Sequence, residues 1–225
     1  MELHYVSVPY EGNYDAIAKK LRVTEDFEDE FREIFDACAA VARPKAVFGL
    51  RPVAHEEGGT RVGEALFKSQ IMRVNFQDVH RAFPYVATCG QELYQLSQAA
   101  EDPLERYWID IFSEFALGEA HRALHKAVRE TYGLGKFNSM NPGSLADFPI
   151  SCQRPLFDLL GEGPERIGLT LTPTFLMLPH KSGSGIFYES EKTFVNCSLC
   201  PRVNCPGRRA PYNEALRAEY GLEGE

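Results

Sequence analysis

One long helical segment constrains the fold of this 225-residue chain more than any other feature. From about residue 103 to residue 132, apolar side chains recur at helical spacing and form an almost unbroken stripe. The stripe contains Leu104, Tyr107, Trp108, Ile111, Phe112, Phe115, Ala116, Ala120, Ala123, Leu124 and Val128. Such a stripe is stable only when other elements cover it, so we predict a helix that packs along the core of the protein.

Three polar residues on this helix are candidates for chemistry. Glu119 falls on the apolar side, which predicts either a structural salt bridge or a carboxylate that faces a ligand. His121 and His125 have the i, i+4 spacing that can bind zinc. The residue after His121 is Arg122, however, whereas the H-E-x-x-H zinc pattern requires a glutamate there. We therefore expect the two histidines to be ordinary surface or capping residues.

Short strands and shorter helices occupy the rest of the chain. Apolar runs predict strands at residues 3–8, 44–50, 67–71, within 78–90, at 166–171, at 175–179 and after 185, and helical periodicity predicts helices at 25–38, from 91 and at 153–160. Glycine-rich and turn-rich segments predict a loop or hairpin at 51–64 and loops at 138–144 and 180–185. The strands form hairpin-like pairs and not regular βαβ units, so we predict an α+β fold with a mostly antiparallel central sheet and flanking helices.

This pattern divides the chain into three regions. We expect residues 1–75 to form an ancillary layer of the same domain, residues 76–195 to form its core, and residues 196–225 to form a cysteine-rich, cluster-binding tail. The sequence contains no internal repeat and no low-complexity tract.

The composition excludes several classes of protein. A hydrophobic content of 44% with 12% aromatic residues is too high for a disordered chain. No apolar stretch approaches the roughly 18 residues that a membrane helix needs, and a net charge of −8 argues against nucleic-acid binding. The first residues lack the basic segment and the apolar run of a signal peptide, so we expect a reducing, cytoplasmic location without disulfides.

Three of the six cysteines, Cys197, Cys200 and Cys205, form a C-x2-C-x4-C pattern near the C-terminus. Thiolates separated by two residues can converge on one metal ion or one corner of a cluster. Zinc sites usually combine two separated pairs of Cys or His, and here no second pair follows and no histidine occurs after His180. The pattern therefore favours an iron–sulfur cluster, of the 4Fe–4S kind, over zinc, and favours both over a disulfide or three unrelated thiols.

The fourth ligand of such a cluster is not part of this motif. Cys152 is the nearest other cysteine in sequence, Cys89 ends a predicted strand, and Cys38 lies on the apolar face of a helix, which suits a core role. We prefer Cys152 as the fourth ligand, with Cys89, water or a group from a partner as alternatives.

The tail also differs from the rest of the chain in charge. Residues 197–212 carry three arginines and no acidic residue, so the remainder carries a net charge of −11. A basic segment beside an acidic body suits an anionic ligand or an acidic partner. We expect Arg202, Arg208 and Arg209 either to form a docking surface or to cover the metal site.

Several segments resemble one family, the reactivation domain of cobalamin-dependent methionine synthase, in its free-standing versions. The similar segments, within roughly residues 80–212, are 87–90, 112–114, 119–120, Pro142-Gly143, 171–179 and 181–188, the last being similar to the family's Ser-x-Ser-Gly-hydrophobic-aromatic segment. The tail resembles a subgroup that carries C-x2-C-x4-C followed by Arg-Arg-x-Pro-Tyr.

The resemblance implies a site for S-adenosylmethionine between the Pro142-Gly143 loop and the loop that contains Ser182, Ser184 and Gly185, with Glu119 facing the cationic groups of the ligand. The family's loop has the pattern Arg-x-x-Pro-Gly-Tyr, of which this chain keeps the proline and glycine but neither the arginine nor the tyrosine. An arginine there would bind the carboxylate of the ligand, and Arg208 or Arg209 could take its place.

These observations lead to one main functional expectation. The resemblance implies an iron–sulfur protein that supports reductive activation of, or methyl transfer with, a cobalamin-dependent methyltransferase. Its partners would be a corrinoid protein and a low-potential electron donor, because iron–sulfur clusters reach the low potentials that cobalamin reduction needs. Two alternatives are a zinc-stabilised module that docks on a corrinoid protein without catalysis, and a stand-alone methyltransferase that uses S-adenosylmethionine.

Overall fold

An antiparallel sheet built around one central strand organises the fold. The computed structural model describes residues 2–205 and 207–222, and eight strands in this part of the chain form one sheet. The described residues contain ten strands in all: β1 (Leu3–Ser7), β2 (Lys45–Gly49), β3 (Arg51–Glu56), β4 (Gly59–Val62), β5 (Ala65–Phe67), β6 (Arg81–Thr88), β7 (Phe137–Met140), β8 (Thr170–Leu171), β9 (Met177–Leu178) and β10 (Ser182–Glu189). Strands β8 and β9 form a separate two-stranded sheet.

Strand β6 pairs along both of its edges. Strand β2 and the start of β3 occupy one edge, and β10 runs along the other. The sheet continues through β1 beyond β2, through β4 and β5 beyond β3, and through β7 beyond β10. All of these pairings are antiparallel, which confirms the predicted α+β fold with an antiparallel central sheet and flanking helices.

Helices cover both faces of this sheet. The helices of the described residues are α1 (Tyr14–Leu21), α2 (Glu28–Val41), α3 (Gln70–Asn75), α4 (Gln91–Ala99), α5 (Pro103–Tyr132), α6 (Gln153–Asp158), α7 (Gly163–Arg166) and α8 (Glu214–Glu219). Of these, α1, α2 and α4 pack on the N-terminal half of α5 in a helical core of their own. Successive side chains of β6 point to opposite faces. Phe83 and Tyr85 pack with α5, whereas Ala82 and Val86 pack with α3 and α6, so the sheet separates two cores.

Helix α5 has the predicted length because the sequence encodes both of its ends. Asp102 caps the first turn by accepting a hydrogen bond from Leu104 N at 2.8 Å, and Pro103 occupies the first position. At the other end, Gly133 adopts a left-handed conformation with φ 63° and donates to Arg129 O. The C-terminal half of α5 packs on the sheet, and its N-terminal half packs on α2.

The predicted strand at 67–71 is wrong, because β5 ends at Phe67 and helix α3 begins at Gln70. Ser69 caps this helix by accepting a hydrogen bond from Met72 N at 3.0 Å. The Asp147 carboxylate accepts further bonds from the backbone N–H groups of residues 70 and 71, both at 2.9 Å. Asp147 lies 77 residues from Gln70, so no pattern within the segment reveals this support.

Two segments predicted as loops are strands. Residues 137–140 form β7, and residues 182–185 form the first half of β10. Their pairing partners are distant in sequence, since residues 182–185 pair with residues 88–85 and β7 pairs with the end of β10. The strand predicted at 166–171 is correspondingly shorter, because α7 extends to Arg166 and only Thr170–Leu171 are extended.

The N-terminal strands β1 to β5 belong to the same sheet as β6 and β10. In the tail, Cys200 and Tyr220 pack against the core on the α3 side of that sheet. The boundaries at residues 75/76 and 195/196 stay a prediction. No helix within residues 2–205 and 207–222 is long and apolar enough to cross a membrane.

The aromatic contact between α5 and α2 leads to the first prediction. Phe112 is 1% exposed, and its ring centroid lies 5.4 Å from those of Tyr10 and Phe35. We expect Phe112→Ala to lower the free energy of unfolding by about 3–5 kcal/mol, because it leaves a cavity in the core. Tyr107→Ala, at a position of the same helix that is 52% exposed, should change it by less than about 0.5 kcal/mol. Urea denaturation measures both values, and equal effects would contradict this packing.

Candidate functional site

A polar cluster lies on the α5 side of the sheet, where β6, β10 and β7 meet. The Tyr85 hydroxyl lies 2.9 Å from Ser139 Oγ, and Asn141 Nδ2 donates to the same hydroxyl at 2.9 Å. Asn141 Nδ2 also donates to Ser184 O at 2.8 Å, which ties the end of β7 to β10. We call Tyr85, Ser139 and Asn141 the polar cluster.

Two glycines of β10 lie beside the polar cluster. Gly183 and Gly185 occupy alternate positions of the strand, so both face α5. A Cβ atom at Gly185 would lie 2.6 Å from both Asn141 Nδ2 and Tyr85 OH. A Cβ atom at Gly183 would lie 2.8 Å from His121 Cε1. Neither position can therefore carry a side chain unless its neighbours move.

Burial and a nearby cation determine the protonation of this region. Burial raises the pKa of the Tyr85 phenol, while its hydrogen bonds to Ser139 and Asn141 and the charge of Arg209 act in the opposite direction. Burial is also the main cause of the lowered pKa of His121, and the charge of Arg209 lowers it further. Burial therefore favours the neutral forms of both the phenol and the imidazole at pH 7.

The structure brings together some of the residues predicted for S-adenosylmethionine. Pro142 and Gly143 directly follow Asn141, so their loop begins at the polar cluster, and Gly185 lies against it. Ser184 contributes its carbonyl, while its buried side chain points to the opposite face of the sheet. Ser182 Oγ donates to the Pro179 carbonyl at 2.7 Å.

Glu119 lies on a different side of α5. It forms an ion pair with Arg122, whose Nε lies 3.0 Å from Glu119 Oε2, and the charges of both groups act on Tyr10. Glu119 and His121 are two residues apart, which separates them by about 200° around the helix. Of the two predicted roles, the salt bridge is present, and Glu119 is not on the face of α5 that contacts Gly183.

The two histidines of α5 pack between the helix and the sheet and not on the surface as predicted. Both are half-buried. His121 meets Gly183 and the edge of the Tyr85 ring, at a centroid distance of 6.2 Å, and His125 stacks on Phe137 at 4.1 Å. In the sequence pattern of α5, both histidines lie beside a broad apolar stripe. That position is compatible with either burial or exposure of the side chain, so the pattern alone does not decide between them.

The loop that follows Asn141 lines a cavity of about 380 Å³ together with the tail. Its wall combines loop residues between 143 and 150 with Ile71, Leu199 and Cys200. Asp147 holds the loop against α3 through the hydrogen bonds that cap this helix. The cavity therefore has Cys200 of the tail and Gly143 of the loop in the same wall, although 57 residues separate the two in sequence.

The first two tail cysteines lie in a tight turn. Residues Asn196–Ser198 form one turn of 3-10 helix, and Cys200 N donates to Cys197 O at 3.3 Å. The backbone N–H of Arg209 donates to Cys197 Sγ at 3.4 Å, and this bond is the main cause of the lowered pKa of the Cys197 thiol. Hydrogen bonds to sulfur and a lowered thiol pKa both favour the thiolate form that binds metals.

Arg208 lies at the centre of the tail loop. Its Nη1 donates to Cys197 O at 3.1 Å and to Ala210 O at 3.2 Å. Its Nη2 donates to Cys200 O at 3.3 Å and also to Arg202 O. One guanidinium thus serves four carbonyl groups of an irregular loop. The Arg208 side chain is thus engaged within the tail, whereas the side chains of Arg202 and Arg209 are exposed.

The chemistry of the tail suits a metal, but its geometry is not assembled for one. Three thiols within nine residues, one of them accepting an N–H bond, are the donor set that a cluster requires. Across residues 2–205 and 207–222, however, no group of three or more His, Cys, Asp or Glu side chains is placed to hold a metal ion. Metal binding would therefore require the thiols to move closer together.

The remaining cysteines lie in two different cores. Cys152 and Cys200 pack against the same core on the α3 side of the sheet, and burial raises the pKa of Cys152. Cys38 and Cys89 lie in the core between α2 and α5, where burial raises the pKa of each thiol to about 12. Among the candidates for a fourth ligand, Cys152 thus shares a core with the tail and Cys89 does not.

Sequence reasoning missed most of the polar cluster. Tyr85 lies in a run of apolar strand residues, where a tyrosine is indistinguishable from an ordinary core residue. Ser139 and Asn141 belong to a segment whose composition predicts a turn-rich loop. A usable signal was present there, because Asn138, Ser139 and Asn141 place several side-chain hydrogen-bonding groups directly before Pro142.

The contact between Gly185 and the polar cluster leads to a second prediction. We expect Gly185→Ala to lower the free energy of unfolding by about 1–3 kcal/mol, because the added methyl group displaces Asn141 and Tyr85. Gly118→Ala on α5 is the control, since the nearest atom to its Cβ lies 3.8 Å away, and alanine there should stabilise the helix by about 0.5–1 kcal/mol. Urea denaturation of both variants tests this, and stabilisation by Gly185→Ala would refute it.

A third prediction concerns pH. Burial lowers the pKa of His121 below 6.5, so the unfolded chain binds the proton more readily than the folded protein. The stability that depends on neutral His121 is therefore present above pH 6.5 and is lost as the pH falls towards the lowered pKa. We expect the free energy of unfolding to fall less steeply below about pH 6.5 in His121→Gln than in the wild type. His55→Gln, at an exposed position, should follow the wild type, and three parallel curves would contradict the prediction.

The fold, unlike the sequence, matches a known protein. No protein-family model matches this chain, and no curated protein matches it. Among solved structures, the chain is similar to one described as the crystal structure of the MetH reactivation domain bound to AdoHcy, with a TM-score of 0.61 and 16% sequence identity. The similarity covers 87% of this chain and 81% of the other. This chain therefore has the fold of that reactivation domain, as the sequence resemblance predicted.

Proposed function

We propose that this protein binds S-adenosylmethionine, or S-adenosylhomocysteine, at the polar cluster and serves a cobalamin-dependent methyltransferase such as methionine synthase in reductive activation or methyl transfer. The observation that carries the proposal is the fold shared with a reactivation domain bound to AdoHcy, over 87% of this chain. A second support is that two segments of the sequence resemblance, the Pro142-Gly143 loop and β10, meet at the polar cluster.

The polar cluster suits an adenosylated amino acid. Asn141 and Ser139 offer amide and hydroxyl groups that can exchange hydrogen bonds with a ribose or with an amino-acid end. Gly183 and Gly185 lack a Cβ, which lets Tyr85, Asn141 and His121 lie close to the backbone of β10. Pro142 and Gly143 extend the site towards the loop, whereas Glu119 is retained in its ion pair with Arg122.

The proposed reaction transfers the methyl group of S-adenosylmethionine to cobalamin that a single electron has reduced, and it leaves S-adenosylhomocysteine in the site. The cobalamin belongs to the partner. The contribution of this chain is to hold the methyl donor in one orientation at a surface that the partner can reach, which lowers the entropic cost of the encounter.

Cys197, Cys200 and Cys205 hold an iron–sulfur cluster of the 4Fe–4S kind in this proposal, with Cys152 as the fourth ligand. Such a cluster supplies single electrons at low potential when it is bound. The proposal is supported by the C-x2-C-x4-C spacing and by the N–H bond to Cys197 Sγ. Arg208 donates to the carbonyls of Cys197 and Cys200 and so holds the turn between the first two cysteines.

The proposed partners are a cytoplasmic corrinoid protein and a low-potential electron donor. Arg202 and Arg209 expose positive charge beside the cysteines on a chain of net charge −8. An acidic partner would be steered to this part of the surface, and salt would weaken the contact.

Metal analysis of anaerobically purified protein tests the cluster. We expect iron and acid-labile sulfide in equal amounts, with visible absorption that dithionite bleaches. Cys197→Ser should abolish both, whereas Cys38→Ala, which changes a cysteine of the other core, should retain them. Cys152→Ser should lower the iron content if Cys152 is the fourth ligand. Zinc in place of iron would instead support a zinc-stabilised docking module.

Calorimetric titration of the same preparation tests the ligand. We expect heat of binding with S-adenosylhomocysteine, and we expect Gly185→Ala to reduce the affinity because it displaces Asn141. The Gly118→Ala variant provides the control, since its substitution does not touch the polar cluster. A folded, iron-loaded wild type that gives no heat with either S-adenosylmethionine or S-adenosylhomocysteine would refute this part of the proposal.

A further inference from the structure

Three exposed apolar side chains surround the only tryptophan of the chain, Trp108, which is itself 5% exposed. The Phe27 ring lies against the Trp108 ring at a centroid distance of 6.4 Å and is 43% exposed. On α5, Leu104 is a helical neighbour of both Tyr107 and Trp108, because residues three and four apart share one face. Leu104 is 38% exposed and Tyr107 is 52% exposed. We call Phe27, Leu104 and Tyr107 the apolar patch.

The apolar patch lies where two packed helices begin. Phe27 ends a single turn of 3-10 helix and directly precedes α2, and Leu104 lies in the first turn of α5. Beneath the patch, the buried ring of Phe31 lies 5.6 Å from that of Trp108. Side chains held on rigid helices lose little freedom when a partner covers them. Exposed aromatic residues gathered in this way are typical of interaction sites.

Acidic residues surround the apolar patch. Residues 24–36 and 101–114, which supply it, contain twelve acidic and two basic residues, a net charge of −10, whereas the rest of the chain carries +2. Within the described residues, only three of the twelve acids pair with a cation: Glu28 with Arg32, Asp110 with Lys181 and Glu114 with Lys20. The negative charge of the chain is thus concentrated on these two segments and is largely uncompensated.

The helix dipole explains only part of this charge. Acids in a first turn stabilise a helix, as Glu28 does in α2 and Glu105 in α5. The dipole explains neither the later acids of α2, Glu33 and Asp36, nor the apolar side chains that are exposed among the acids. Clustered like charges repel one another and lower stability. A partner that brings positive charge would remove this repulsion.

We propose that the apolar patch docks a basic segment of another protein, one that presents apolar side chains flanked by lysine or arginine. The apolar side chains of the segment cover the patch, and its cations face the surrounding acids. The patch belongs to the core between α2 and α5, whereas the tail packs on the core on the α3 side of the sheet. The chain therefore has a second docking surface, opposite in charge to the tail, that neither the ligand site nor the metal site requires.

Fluorescence titration of the anaerobically purified chain tests this docking surface, because Trp108 is the only tryptophan and lies in the patch. The probe is a synthetic peptide of leucine and lysine whose leucines follow helical spacing. A matched peptide of the same charge has serine in place of leucine. We expect the leucine peptide to change the Trp108 emission and to bind at least about tenfold more tightly than the serine peptide, because it buries apolar surface. Added salt should weaken both.

Two double variants test the apolar side chains. Leu104→Ala with Tyr107→Ala removes two members of the patch, and we expect it to weaken binding of the leucine peptide by about tenfold. Tyr5→Ala with Leu176→Ala is the matched control, since it removes a tyrosine and a leucine that are similarly exposed elsewhere. The control should bind the leucine peptide as the wild type does. Equal thermal unfolding temperatures would establish that the variants are folded.

Two further double variants test the charge. Glu25→Gln with Asp26→Asn neutralises the two residues before Phe27, and we expect it to weaken binding of both peptides by about fivefold. Glu57→Gln with Asp158→Asn neutralises two exposed acids outside residues 24–36 and 101–114 and should leave both affinities almost unchanged.

Several outcomes would overturn the proposal. If the leucine peptide does not bind, or binds no more tightly than the serine peptide, the patch is not a docking surface. If the variants of the patch and their controls lose affinity equally, the peptide binds elsewhere. If light scattering shows self-association that Leu104→Ala with Tyr107→Ala abolishes, a second copy of this chain covers the patch and the proposed partner is wrong. Binding of S-adenosylhomocysteine and iron content are separate measurements, so the proposed function stands or falls independently.

Discussion

The register between β6 and β10 underlies most of the geometry around the polar cluster. It places Gly185 opposite Tyr85, and because side chains alternate along a strand, it turns both Gly183 and Gly185 towards α5. A shift by one residue would turn Ser184 to that side and would remove the space beside the tyrosine hydroxyl. The approach of His121 to the sheet and the bond from Asn141 to β10 depend on the same pairing.

Strand β6 can hold this register because it is paired on both edges and buried on both faces. Its backbone groups find partners in β2, β3 and β10, so burial leaves few of them without a hydrogen bond. One face supports α5 and the other supports the core around α3 and α6. The Tyr85 hydroxyl is tolerated inside this layer because Ser139 and Asn141 satisfy it.

The tail is organised in a different way, by a single arginine. Arg208 donates to carbonyls of the cysteine turn and of the chain that returns to it. These side-chain hydrogen bonds satisfy carbonyl groups that backbone N–H groups would satisfy in a helix or a sheet. The turn that contains Cys197 and Cys200 is thereby fixed at the edge of the core, and the same guanidinium also donates to Arg202 O in the segment that leads to Cys205.

Features whose signals are local in the chain could be predicted from it, and features that depend on distant partners could not. Helix α5 begins and ends where Asp102, Pro103 and Gly133 indicate, because a helix forms its hydrogen bonds within a few residues. The cysteine spacing and the mostly antiparallel character of the sheet could also be predicted, because their signals lie within short stretches of the chain. The composition of the segments at 138–144 and 182–185 predicts loops, but parts of both are strands. A strand forms its hydrogen bonds with residues that are distant in the chain, so the sequence of the segment alone does not reveal the pairing.

The composition of the candidate site was decided by tertiary contacts alone. Tyr85 and Ser139 are 54 residues apart, and Asn141 reaches Ser184 across 43 residues. Helix α3 depends on Asp147 in the same way. Nothing within its own segment distinguishes any of these side chains. The packing of two cores on the faces of β6 brings the segments together, and buried polar groups there are stable only when they form hydrogen bonds with one another.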